Sequence, residues 1–184
     1  MTIVFLDRDG VINAYPGDKN YVTSWEEFSF LPKAKEAIAS LHKGGVKIYL
    51  VSNQAGVGKG LYTQEALDVI TGNMLKEIKA AGGHIDGVYY CTHPPEQDCP
   101  CRKPKTGLVD LARQEHSLEV KGAFFIGDSI LDIKTAKSAG CRAVLILSGK
   151  ESLVNRSNWE TEPDFIFADL FEAAHFILKQ KNFR

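Results

Sequence analysis

Five short runs of almost unbroken apolar character, at residues 3–6, 46–51, 87–90, 123–126 and 143–147, alternate with segments of helical period. Strands that are apolar on both faces belong in a parallel sheet, because each parallel connection must cross over and lays a helix on one face or the other. The chain is therefore expected to be α/β, a doubly wound, Rossmann-like parallel sheet with helices on both faces. Residues 165–167 would add a sixth strand at an edge. Helices are expected at 33–42, 63–81, 107–115, 130–139 and 169–179, with Thr63 and Asp169 suited to N-caps and Gly44, Gly82 and Gly140 to stops. No repeat, linker or low-complexity segment interrupts the pattern, so residues 1–184 read as one domain. A domain of this size buries roughly 70% of the surface its unfolded chain exposes, enough to support a catalytic site.

Composition excludes more than it selects. With 22 basic and 23 acidic side chains, no bulk attraction to nucleic acid or to an anionic membrane is implied. The first apolar run meets charge at Asp7, so it resembles neither a signal peptide nor a membrane span. A cytoplasmic protein, monomeric and without nucleic-acid or membrane partners, is the default expectation.

In open parallel sheets ligands sit outside the carboxyl ends of the strands. The residues expected there are Asp7 after the first strand, Ser52, Asn53 and Gln54 after the second, Cys91 after the third and Asp128 after the fourth, with Lys103 returning to the same edge. An acidic pair such as Asp7 and Asp9 is ordinary in a solvated loop. A further carboxylate at the equivalent end of a later strand tells against that reading, since converging carboxylates repel unless a cation joins them. Hard oxygen ligands suit magnesium. A carboxylate beside magnesium can attack a phosphoryl group and divide a difficult hydrolysis into two easier displacements. Ser52 and Lys103 are of the right types to hold the transferring oxygens.

Cys91, His93, Cys99 and Cys101 form a C-x-H-x5-C-x-C set on one proline-rich loop. Four soft or borderline ligands at this spacing fit tetrahedral zinc, and a complete protein ligand set leaves no open position, so the zinc should be structural. A nucleic-acid-binding zinc ribbon is disfavoured by the closeness of the ligand pairs and by flanks that are not notably basic. Cys141 stands alone and reads as a small buried apolar residue.

Taken together, Asp7-x-Asp9-Gly10, Ser52-Asn53-Gln54, Lys103 and Gly127-Asp128-x-x-x-Asp132 resemble the four motifs of the haloacid dehalogenase superfamily, over most of the chain. The resemblance implies Asp7 as nucleophile and Asp9 as general acid and base. Ser52 and Lys103 would bind the phosphoryl group, and magnesium would be held by Asp7, Asp128 and the backbone carbonyl of Asp9. Asp132 would either bind outer-shell water or start a helix. Val11 stands where many members have Thr.

The Cys-His set with Arg102-Lys103-Pro104 resembles a narrower group, the D-glycero-D-manno-heptose 1,7-bisphosphate phosphatases and histidinol-phosphate phosphatases. Asp7 to Asn13, Tyr21-Val22 and Phe28-x-Phe30-x-Pro32 resemble the heptose enzymes more. What this implies is a small phosphorylated metabolite bound by Asn20, Tyr21, Ser52, Asn53, Gln54, Ala55, Arg102, Lys103 and Ser129. The heptose enzymes carry Lys where this chain has Ser129, and Tyr15-Pro16-Gly17-Asp18-Lys19 lengthens its first loop.

Short loops after the catalytic strands would leave no room for a cap domain, placing specificity on residues 15–21, the zinc loop and residues 56–60. The last segment is not a nucleotide P-loop, which would need Gly at 53 and Ser or Thr at 60; Lys59 is either at the rim or solvated. A phosphorylated receiver domain is disfavoured because its acceptor would fall at Cys91. A non-catalytic zinc-stabilised protein would leave the acidic set without a purpose.

Overall fold

The computed structural model describes residues 1–18 and 20–182, so Lys19 of the lengthened first loop lies outside the described residues. Six parallel strands form one sheet: β1 (Ile3–Leu6), β2 (Lys47–Asn53), β3 (Gly87–Cys91), β4 (Phe124–Gly127), β5 (Arg142–Ile146) and β6 (Phe165–Phe167), in the order β3-β2-β1-β4-β5-β6. The helices are α1 (Ala34–Lys43), α2 (Gln64–Ala80), α3 (Gly107–His116), α4 (Ile130–Ser138) and α5 (Leu170–Asn182). β1 and β6 fall where the sequence puts them, and the other elements shift by a residue or two at their ends, except that α5 runs three residues further. β2 runs on through Ser52 and Asn53 because Asn53 is in register with Cys91 of β3.

Alternation along the strands divides the core into two layers. Val4, Leu6, Ile48, Leu50, Ile126 and Val144 face one cluster, which α1, α2 and α5 cover; Phe5, Tyr49, Val51, Phe125 and Leu145 face the other, under α3 and α4. Phe5 and Phe125, adjacent across the β1–β4 pair, stack at 6.1 Å and are fully buried. Burial of each such side chain contributes about 1.5–3 kcal/mol. Thr63 caps α2 by accepting the Ala66 N–H, and Asp169 accepts the Glu172 N–H at the start of α5.

One expectation changes. The connection from β1 to α1 is not short, since it occupies residues 7–33. Its described residues form no regular helix or strand, only bridges from Asn13 to Asp9 and to Phe30. Trp25, Phe28 and Phe30 pack on one another at 5.0–6.4 Å and against the first core layer. The segment is therefore folded down onto the domain by its own aromatic residues.

The topology also fixes where a ligand can sit. β1 pairs with β2 on one side and β4 on the other, so the connections leaving β1 and β4 diverge and open a crevice at their carboxyl ends.

Candidate active site

Asp7 leaves β1 at this crevice, and its backbone N–H still continues the sheet by bonding Ile126. Its Oδ1 accepts the Arg8 N–H at 2.8 Å, and its Oδ2 meets the Lys103 ammonium at 2.9 Å. The same ammonium lies 2.5 Å from Asp132 Oδ1. Asp132 performs two tasks: its Oδ2 accepts the N–H and hydroxyl of Ser129, so it caps α4 while orienting Lys103. It is fully buried.

Asp128 is held by close backbone approach. Gly10, at φ +78°, and Gly149 each leave room for its carboxylate; a Cβ at either would come within 2.1 Å of Oδ2. That oxygen accepts the Lys150 N–H at 2.8 Å, and Ser148 ties the two loops by donating to the Gly10 carbonyl. A side chain at Gly10 would meet both this contact and the cost of a left-handed backbone.

Carboxylate oxygens of Asp7, Asp128 and Asp132 lie within 4.8 Å of one another. Burial pushes the Asp7 carboxyl up to about 6, against the pull of Lys103 and Ser52 and with the Asp132 charge adding to the rise. Burial, then the charges of Asp132 and Asp7, hold Asp128 well above the ordinary carboxylate range. Burial alone would lower Lys103, but Asp132 and Asp7 prevail and raise it. Three carboxylates against one ammonium would leave two uncompensated negative charges. A divalent cation would cancel them, and the oxygen donors fit magnesium.

Asp9 occupies a separate clamp. Its Oδ1 accepts from Asn13 at 2.8 Å and from the Arg8 guanidinium at 3.0 and 3.2 Å, and its Oδ2 accepts from Gln54 at 2.9 Å. Gln54 also reaches Ser52 Oγ at 3.1 Å and accepts from Tyr62. Arg8 is fully buried, with Tyr90 6.0 Å from its guanidinium carbon. Tyr62 carries no motif signal in the sequence, and the Asp7–Asn13 run gives Arg8 and Asn13 no role of their own; a charged residue after a strand ordinarily faces solvent, and only the folded connection shows Arg8 buried.

A cavity of about 350 Å³ opens over these groups. Of the residues expected to bind substrate, Asn20, Tyr21, Ser52, Asn53, Arg102, Lys103 and Ser129 line it, together with Asp7, Asp9 and Asp128. Gln54 and Ala55 are buried and outside the lining. Asn53 is occupied as well, since its amide donates to the Lys103 carbonyl at 3.3 Å and accepts the Lys103 N–H at 3.1 Å. Lys59 stands 5.7 Å from the Tyr21 ring, outside the lining. Lys134, Lys150 and Glu160 do line the cavity, although sequence reasoning places no function on them.

The sulfur cluster forms on the neighbouring loop. The Sγ atoms of Cys91, Cys99 and Cys101 are 3.2–3.4 Å apart, and His93 Nδ1 is 3.2 Å from Cys101 and 3.8 Å from Cys91. No pair is a disulfide. Four donors converging on one point, three thiols and an imidazole, fit tetrahedral zinc. Cys91 ends β3, and the loop leads through Arg102 into the buried Lys103.

Comparisons with known proteins identify the family. The family model described as HAD-hydrolase-like matches residues 100–173. A D-glycero-beta-D-manno-heptose-1,7-bisphosphate 7-phosphatase of Pseudomonas putida is 34% identical, with 97% of this chain and 100% of the relative covered. The corresponding alpha-anomer phosphatase of Photorhabdus laumondii is 32% identical, over 80% of this chain and 83% of its own. The crystal structure of D,D-heptose 1,7-bisphosphate phosphatase from Bordetella bronchiseptica, complexed with magnesium and phosphate, superposes with a TM-score of 0.88 at 30% identity, covering 98% of this chain and 99% of the other. The chain belongs to the haloacid dehalogenase superfamily, as a phosphatase of the heptose bisphosphate phosphatase subfamily. Among the described residues, no helix is long and apolar enough to cross a membrane.

Proposed function

We propose that this chain removes the 7-phosphate of D-glycero-D-manno-heptose 1,7-bisphosphate through a phospho-aspartate on Asp7, in a magnesium-dependent reaction. The observation that carries the reading is the Asp7 carboxylate itself, held by Lys103 at 2.9 Å at the floor of an open cavity beside Asp128. Asp7, Asp128 and the Asp9 backbone carbonyl would hold the magnesium. Its charge would offset the negative charge that develops on the phosphoryl oxygens.

In the first step an Asp7 carboxylate oxygen bonds to phosphorus and the bond from phosphorus to the C7 oxygen breaks. Asp9, as the carboxylic acid, gives its proton to that leaving oxygen. Lys103 and Ser52 hold the transferring oxygens by charge and hydrogen bond. In the second step Asp9, now a carboxylate, takes a proton from water, which attacks phosphorus, releases inorganic phosphate and restores Asp7. The remaining product is a 1-phosphate. Cys91, His93, Cys99 and Cys101 would hold a structural zinc that secures the loop carrying Arg102 and Lys103. The same reading makes the protein a cytoplasmic monomer acting on a small sugar phosphate.

The test is kcat/KM in saturating magnesium on both anomers of heptose 1,7-bisphosphate and on histidinol phosphate. The expected result is preference for one heptose anomer, with no turnover when magnesium is withheld. Preference for histidinol phosphate would overturn the substrate, and phosphate release unaffected by magnesium removal would overturn the chemistry.

A further inference from the structure

A bisphosphate presents two dianions, and the cavity has cations beyond the one that serves the reacting phosphate. Lys103 is committed to Asp7 and Asp132. Arg102 and Lys134 both line the cavity. Lys134 also borders an adjoining cleft with Pro104, Lys105 and Thr106, the residues directly after Lys103. Both cations thus line the cavity, and Lys134 also borders the segment that follows Arg102.

Lys134 lies in the second turn of α4. Helical side chains lean toward the N-terminus, so its stem covers the turn at Ile130 and Leu131, which line the same cavity. Ser129, at the head of that helix, offers no cation, and its hydroxyl is taken by Asp132 at 2.5 Å. Arg102 has a buried guanidinium nitrogen, NH1, without a hydrogen-bond partner.

Lys134 pairs with Glu160, whose side chain is 74% exposed. Exposed ion pairs are weak, and a phosphate dianion, with more charge and more acceptor oxygens, would displace the carboxylate. Lys150, the other lysine of the cavity, pairs instead with Asp18 at 2.7 Å, and Asp18 also accepts from Tyr15. That pair is as exposed as the one between Lys134 and Glu160, so the choice between the two lysines rests on Lys134 also bordering the residues that follow Arg102 and Lys103.

We propose that Lys134, from the second turn of α4, binds the non-reacting phosphate of the substrate in the cavity that Arg102 also lines. This rests on the bisphosphate reading above. The role is one of binding and selectivity, not of chemistry at the reacting phosphorus.

The test is steady-state kinetics of the wild type, Lys134→Gln, Lys134→Arg and Lys150→Gln on heptose 1,7-bisphosphate and on p-nitrophenyl phosphate, which has no second phosphate. Lys134→Gln is expected to raise KM for the bisphosphate about 10–100-fold, the range for loss of a charged hydrogen bond. Its kcat and its p-nitrophenyl phosphate kinetics should stay near wild type, and Lys134→Arg should restore most of the KM. An unchanged bisphosphate KM in Lys134→Gln, an equal loss on both substrates, or a larger KM effect from Lys150→Gln would overturn the assignment. A wild type without preference for the bisphosphate would end the bisphosphate reading and this subsite with it. A preference that survives Lys134→Gln would end the subsite alone.

Discussion

Two clusters of metal-ligand side chains stand on the same edge of one sheet, and they are built in opposite ways. The acidic cluster draws Asp7 from the end of β1 and Asp128 and Asp132 from the β4–α4 junction, and it is almost wholly buried. Its positions are fixed by a strand pair, by two glycines and by the cap of a helix. The sulfur cluster comes from residues 91–101 of one loop, with His93 exposed, Cys99 and Cys101 half-buried and only Cys91 buried. Besides Cys91 in β3, that loop has one short 3₁₀ turn at Pro95–Gln97 with no buried residue. The first cluster is held by the fold and should survive loss of its ion. The second meets the core only through Cys91, Cys99 and Cys101, so the zinc expected there would be a large part of what holds the rest of the loop.

The sharpest way to break this comparison is to remove charge from the acidic cluster. Asp7→Asn should keep the fold, since the neutral side chain relieves repulsion among buried carboxylates. It should lower kcat by about 10⁴–10⁶-fold, the range for deletion of a nucleophile or its partners in a covalent mechanism. Phosphate release and circular dichroism on the same sample check both halves. Turnover near wild type would remove Asp7 from its role, and an unfolded variant would show that this cluster is not carried by the strands.

The sulfur loop should respond in the reverse order, with structure failing first and activity following. Cys99→Ser is expected to lower zinc content, open residues 94–100 to protease and lower Tm, by about 2–4 °C for each kcal/mol lost in a domain of this size. Activity should fall about 10²-fold, because displacement of a positioned group by an ångström costs on that order and Lys103 follows the loop directly. Metal analysis, limited proteolysis and kinetics read the three effects. A zinc-free variant with an intact loop would show that other contacts suffice, among them Lys105 to Asp98 at 2.6 Å and Gly58 N–H to the Thr92 carbonyl at 3.0 Å.

The two clusters were also legible in different degrees. The sulfur set can be read directly, because its four ligands are neighbours in sequence and spacing alone reports their geometry. The acidic set needed the strand pattern first, and Asp7, Ser52, Lys103 and Asp128 converge because β1, β2 and β4 do. What stayed hidden was the shell behind them. Arg8 clamping its neighbour Asp9, Tyr62 behind Gln54 and the Gly149 approach to Asp128 depend on side-chain burial and backbone approach, which no period announces. Lys134 was invisible for a related reason, since a lysine on an amphipathic helix reads as a solvated face until the neighbouring loops close over it. The expected strand at 3–6 and helix at 33–42 already leave a long connection between them; its packing onto the domain stayed hidden because its aromatic residues follow no helix or strand period.

A smaller effect separates the clusters by pH. Without magnesium, the Asp7 carboxyl is raised to about 6 and Asp128 is raised as well. A folded-state pKa above the unfolded value means that the folded protein holds extra protons, so the stability from Asp7 is present at low pH and is lost as pH rises through about 6, and that from Asp128 is likewise lost as pH rises through its own raised pKa. Magnesium must displace those protons to bind. Its affinity should therefore increase with pH, by roughly tenfold per unit for each proton released, with the Asp7 contribution levelling off above about 6. Calorimetric titration at pH 5, 6 and 7.5 measures this. A flat profile would mean that the acidic cluster is already ionised in the free protein.

The smallest predicted change lies where the clusters meet. Asn53, the last residue of β2, bonds the backbone of Lys103 in both directions. It ties the strand framework to the segment that leaves the sulfur loop. Each of these bonds contributes on the order of 1 kcal/mol, and in the intact protein the loop fixes Lys103 as well, so Asn53→Ala alone should reduce kcat only about threefold to tenfold. Combined with Cys99→Ser, the loss should exceed the product of the separate effects, because each restraint then stands in for the other. Strict multiplicativity in that double variant would mean that the strand and the loop position Lys103 independently. A large loss from Asn53→Ala alone would move the weight of positioning from the sulfur loop to the strand.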